Sequence, residues 1–143
     1  MTRFPRRNWR FGKGEMKILF DTHALAWWLL DDARLSGRVR AMITDTGNEV
    51  WVSAISAFEI ATKHRIGKWP DAGEIAKDFE NAVTAEGFKI LPVTVAHACR
   101  GGLLPGVHRD PFDRLIAGQA LVEGLPLATS DGAFIGFGIP ILW

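Results

Sequence analysis

Long apolar runs are missing from this chain of 143 residues: no stretch approaches the roughly 20 residues that cross a bilayer, which argues against a membrane protein. Cysteine occurs once, and a lone Cys99 closes no internal disulfide and builds no cysteine metal cage, in keeping with a reducing, cytoplasmic setting. No catalytic dyad surrounds it. Histidine offers no metal site by spacing either, since His23, His64, His97 and His108 show no paired ligand pattern. Internal repeats and low-complexity tracts are absent, and the first residues lack the apolar core of a secretory signal. An excess of one charge is also missing, the net value being +1.

That small sum hides an asymmetry. Residues 1–15 carry Arg3, Arg6, Arg7, Arg10 and Lys13 against Glu15, a balance of +4, which leaves −3 on the other 128 residues. The body is therefore not a broadly basic nucleic-acid binder. Residues 1–15 read as a basic, disordered extension or an over-called start before Met16, with a basic arm for nucleic-acid phosphates as the rival reading. Folded sequence is expected over residues 16–143, a length that suits one domain with a sizeable core.

What is present is an alternation of strand and helix patterns. Short apolar runs at residues 17–20, 49–53, 88–91, 125–130 and 138–143 predict five strands. Between them, helical spacing is expected near residues 24–30, 35–46, 57–68, 71–86, 93–99 and 111–124, with Trp69-Pro70 and Gly87 as stops. Strands separated by helices argue for an α/β fold with a parallel sheet covered on both faces.

Four acids stand where strands end or helices begin. Asp21 ends the first strand, Glu59 falls in the first turn of the helix after the second, Asp113 opens the helix over residues 111–124, and Asp131 closes the fourth strand. In an α/β sheet such points share one edge, where carboxylates distant in sequence meet and call for a hard divalent cation, Mg²⁺ or Mn²⁺. Each acid also has a local explanation. Asp21 and Asp131 suit helix caps or turns, and Ser56-x-x-Glu59 has capping-box spacing. Asp110 before Pro111 reads as an N-cap, which leaves Asp113 as the better ligand. Thr22 and Ser130 are candidates to hydrogen-bond the carboxylates, and Lys63, Arg109 and Arg114 to steer phosphate or remain solvated. Trp27 and Trp28 suit core or groove packing, or a partner surface.

Three stretches carry a resemblance: Leu19-Phe20-Asp21-Thr22-His23-Ala24-Leu25-Ala26-Trp27-Trp28, Ser53-Ala54-Ile55-Ser56-Ala57-Phe58-Glu59-Ile60-Ala61, and His108-Arg109-Asp110-Pro111-Phe112-Asp113-Arg114-Leu115-Ile116-Ala117. Together with Ala128-Thr129-Ser130-Asp131, they make residues 16–143 resemble PIN-domain ribonuclease toxins of the VapC family. The resemblance implies a three-layer α/β/α PIN-like fold with a parallel five-stranded sheet, and Mg²⁺-dependent (or Mn²⁺-dependent) RNA cleavage. It assigns Asp21, Glu59 and Asp113 to the catalytic metal site and Asp131 to a more variable fourth place. It further implies an RNA substrate, a cognate VapB-like antitoxin in a type II toxin–antitoxin module, and a homodimer. A PIN nuclease of RNA maturation or decay without a toxic role, and a binding module that has lost catalysis, are the alternatives.

Overall fold

Residues 15–143 are described by the computed structural model, so the basic extension expected over residues 1–15 lies, apart from Glu15, outside the described residues. The first strand, β1 (Lys17–Phe20), is the middle of a five-stranded sheet in which every pairing is parallel. It is flanked by β2 (Glu49–Ser53) and β4 (Leu127–Ala128), with β3 (Lys89–Leu91) and β5 (Ile141–Leu142) outside them. The order β3-β2-β1-β4-β5 reverses direction at β1, and in open parallel sheets that reversal opens a crevice at the carboxyl ends of the strands.

β1 shows why the sheet needs two covers. Ile18 and Phe20 point to one apolar cluster while Leu19 between them points to another, and all three are fully buried. Besides strand residues such as Val50, Val52, Ala128 and Leu142, the first cluster takes side chains from α1 (Thr22–Leu29), α2 (Gly37–Thr44), α3 (Ala54–Arg65), α4 (Gly73–Lys77) and α5 (Phe79–Thr84). The second is filled by α7 (Pro111–Glu123) and by Phe134 and Phe137 of the 3₁₀ segment Gly132–Phe137. This is the expected three-layer α/β/α arrangement. Burying a side chain such as Phe20 contributes about 1.5 to 3 kcal/mol.

The helix expected over residues 57–68 is α3, which starts three residues earlier, and two further elements differ more. The single helix over residues 71–86 is a 3₁₀ turn, Pro70–Ala72, followed by α4 and α5, which part at Asp78 with φ −146° and ψ 57°. The Asp78 side chain makes no cap hydrogen bond to the backbone; its carbonyl accepts from Ala82 N and its Oδ2 from Asn81 Nδ2 at 2.9 Å, both in the new helix. The helix expected over residues 93–99 is α6 (Val95–Leu103), which continues through Gly101-Gly102. It does so because α6 and α7 meet backbone to backbone. A Cβ on Gly101 would strike the Arg114 carbonyl, and one on Gly118 the His97 carbonyl.

Candidate metal centre at the carboxyl edge of the sheet

Asp21 follows β1 directly, and its carboxylate is held from two sides. Oδ1 accepts from Ala24 N at 2.8 Å as the N-cap of α1, while Oδ2 accepts from Thr129 Oγ1 at 2.5 Å. The N-cap role expected of Asp21 is thus present. Thr129 follows β4, next to β1, and its hydroxyl also accepts from Asp131 N at 3.0 Å, so one side chain ties the ends of both strands. The expected hydroxyls were Thr22 and Ser130: Thr22 Oγ1 meets Ser56 Oγ at 2.9 Å, Ser130 is exposed, and buried Thr129 is the one on the carboxylate.

Glu59 lies in the second turn of α3, since that helix starts at Ala54. The capping box read from Ser56-x-x-Glu59 is therefore replaced: Ser53 is the N-cap and accepts from Ile55 N at 3.1 Å, while Ser56 Oγ meets Thr22 Oγ1 at 2.9 Å inside the protein. Glu59 is only 2% exposed. Its Oε2 accepts from Lys63 Nζ at 2.6 Å, and its Oε1 is buried without a hydrogen-bond partner.

The start of α7 has the expected cap. Asp110 is the N-cap, accepting from Phe112 N at 2.9 Å and Asp113 N at 3.2 Å, with Pro111 in the first helical position. Asp113 is thereby released from capping, and its Oδ2 is 2.9 Å from His108 Nε2. Asp131 is exposed and caps the 3₁₀ segment through Ala133 N at 2.9 Å.

Of the four acids, Asp113 and Asp131 join His108 in a cluster whose ligand atoms all lie within 4.8 Å of one another. Asp21 and Glu59 are not members of that cluster, yet both act on it electrically. Burial first, and then the charges of Asp113 and Glu59, push the Asp21 pKa up from 3.8 to about 7 against the hydrogen bonds from Thr129 and Ala24. Asp113 is pushed up to about 6, again by burial first, with Asp110 and Glu59 adding to it and the His108 hydrogen bond opposing it. Burial lowers the His23 pKa, as does the Lys63 charge. Buried carboxylates that raise one another's pKa values, beside an unsatisfied carboxylate oxygen, fit a cation.

The remaining candidates divide by contact. Lys63 is paired with Glu59 and lies over Trp69. Arg114 neither steers nor stays solvated: its guanidinium donates to the carbonyls of Gly101, Gly102, Leu104 and His108, clamping the loop before α7. Trp27 is a core residue, and half-buried Trp28 donates to Glu86 Oε2 at 3.2 Å, so these two serve packing. His108 was passed over because it has no histidine partner; its signal is a position five residues before Asp113, across the helix cap.

The PIN-domain family model matches residues 18–138. Ribonuclease VapC22 of Mycobacterium tuberculosis is 30% identical over 115 residues, spanning 80% of this chain and 86% of the relative. Among solved structures, VapBC2 of Rickettsia felis bound to a fragment of promoter DNA superposes with a TM-score of 0.66 at 16% identity, over 90% of this chain and 99% of that one. FitAcB of Neisseria gonorrhoeae superposes with a TM-score of 0.63 at 20% identity, over 88% of this chain and 96% of that one. At such identities the structures speak for the fold.

Proposed function

The chain belongs to the PIN-domain family, on the side of the VapC ribonuclease toxins, and from that premise we propose that it is a metal-dependent RNA endonuclease and the toxin of a type II toxin–antitoxin module. The observation that carries the reading is the cluster of His108, half-buried Asp113 and exposed Asp131, with buried Asp21 and Glu59 acting electrostatically beside it and the Asp21 and Asp113 pKa values raised.

Asp21, Asp113 and Asp131 would hold Mg²⁺ or Mn²⁺, which supplies a water of lowered pKa and offsets charge on the scissile phosphate. The protein's own part is orientation. Thr129 fixes Asp21 by its hydroxyl, the α7 cap leaves Asp113 turned to the site, and Lys63 holds one oxygen of Glu59. The other Glu59 oxygen is free to accept a proton or hydrogen bond from a water attacking phosphorus. In-line attack by that water leaves a 5′-phosphate and a 3′-hydroxyl. One structure of similar fold, at 19% identity and a TM-score of 0.56, is described as a toxin–antitoxin complex from Klebsiella pneumoniae, which supports a VapB-like protein partner for this chain.

Expression alone should arrest growth of the host, and co-expression of the small protein encoded beside it should restore growth. Asp21→Asn should relieve the arrest without the partner. Arrest that persists in Asp21→Asn would separate toxicity from catalysis, and no arrest with wild type would favour a nuclease of RNA maturation or decay.

A further inference from the structure

His108 sits in the loop before α7, 23% exposed, with Phe134 and Phe137 against its ring and its carbonyl held by Arg114 at 2.7 Å. The Arg114 clamp and these two rings fix where the imidazole can point. Its Nε2 stands 2.9 Å from Asp113 Oδ2 and belongs to the same cluster as Asp131. Two donors each about 2.1 Å from an octahedral ion are about 3.0 Å apart when they occupy adjacent positions. The His108–Asp113 pair therefore already has the separation of two neighbouring ligands, with Asp131 in reach of a third place.

We propose that His108 is a direct nitrogen ligand of the catalytic ion, and that it makes this site prefer a first-row transition ion, Mn²⁺ in the first place, over Mg²⁺. The proposal rests on the metal-site reading above. Its chemical basis is that Mg²⁺ favours an all-oxygen shell and gives up water reluctantly, whereas imidazole nitrogen binds first-row transition ions more readily. The neutral imidazole would present its Nε2 lone pair, with the proton on Nδ1; the hydrogen bond to Asp113 then gives way to an ion shared by both.

The test uses the full chain, stripped of metal, titrated with Mn²⁺ and with Mg²⁺ by calorimetry, alongside His108→Ala and Asp113→Asn. His108→Ala should weaken Mn²⁺ binding on the order of tenfold or more, and Mg²⁺ binding by less than about threefold. The electron spin-echo spectrum of wild type with bound Mn²⁺ should carry the modulation of a coordinated nitrogen, lost in His108→Ala. Equal weakening of both ions would reduce His108 to a residue that positions Asp113, and a wild-type spectrum without nitrogen modulation would overturn the proposal even if the variant failed to fold. Asp113→Asn that binds both ions as wild type does would instead refute the metal-site reading itself.

Discussion

The two edges of the sheet treat carboxylates in opposite ways. At the amino edge, Glu49 begins β2 beside Lys89 of β3, with Nζ 3.1 Å from its Oε2 and Trp51 Nε1 donating to its Oε1 at 2.5 Å. The hydrogen bond from Lys89 holds the Glu49 pKa below its ordinary value. At the carboxyl edge, Asp21 and Asp113 are pushed upward by burial and by neighbouring acids. One edge has satisfied its charge internally; the other leaves a deficit that an external cation would fill. Perturbed carboxylates of this kind cluster at functional sites, which is the ground for the metal-site proposal.

The sharpest way to break this contrast is to neutralise the carboxyl edge and follow chemistry. Asp113→Asn and Asp21→Asn should each lower RNA cleavage in saturating Mg²⁺ by more than about a hundredfold, above the usual cost of disturbing a residue behind the ligands. Cleavage of a single-stranded RNA, followed on gels with protein checked by circular dichroism, measures it. Wild-type turnover in either variant would remove that residue from the site.

Next in size is the effect of proton uptake on stability. Because the folded pKa of Asp21 is raised from 3.8 to about 7, the folded state holds its proton more tightly than the unfolded chain. Stability of the metal-free protein is then greatest below about pH 4 as far as this group is concerned, and falls as pH rises through about 7. Asp113 acts in the same sense between 3.8 and about 6. The loss from Asp21 amounts to a few kcal/mol at about 1.4 kcal/mol per pKa unit. Urea unfolding of metal-free protein across this range should show the fall, and Asp21→Asn should flatten it. A stability that rises steadily from pH 4 to 7 in both proteins would contradict the burial argument.

The sequence made the positions of the acids legible because strand ends and helix starts are local signals. The apolar run 17–20 located β1, and Asp110-Pro111 located the start of α7, so Asp21 and Asp113 could be placed without a structure. Parallel order followed from alternation of strands and helices. What stayed hidden depends on contacts across the sheet. Thr129 reaches Asp21 over 108 positions of sequence, and His108 reaches Asp113 only because Arg114 folds the loop back. Ser56-x-x-Glu59 misled for a related reason: capping-box spacing says nothing about whether Ser53, three residues earlier, starts the helix first.

A smaller effect separates capping from catalysis at one helix start. Asp110→Ala removes an acceptor from Phe112 N and Asp113 N and should cost about 0.5 to 2 kcal/mol, while Asp110→Asn, itself a good cap, should cost less. Both variants should keep cleavage far closer to wild type than Asp113→Asn does. Thermal unfolding and cleavage on the same samples decide it; a catalytic loss in Asp110→Asn equal to that of Asp113→Asn would give the cap residue a share of the ligand role.

The smallest effect is expected at the amino edge, where Glu49→Gln removes a carboxylate that its neighbours already satisfy. Glutamine keeps an oxygen for Trp51 Nε1, and what is lost is the attraction to Lys89, whose side chain is 55% exposed. Ion pairs so open to solvent contribute about 0 to 1 kcal/mol, and salt screens them further. The depressed pKa fixes the sign: this carboxylate helps the folded state only when ionised, so its contribution is present above its unfolded value and fades on acidification. Glu49→Gln should therefore lower stability at neutral pH by less than about 1 kcal/mol and leave cleavage unchanged, the reverse of Asp21→Asn on both counts. Unfolding of both variants at neutral pH, without metal and at low salt, sets the two edges side by side. Were Glu49→Gln to stabilise the protein as Asp21→Asn is expected to, the carboxyl edge would lose its claim to be the edge where charge is held at a cost.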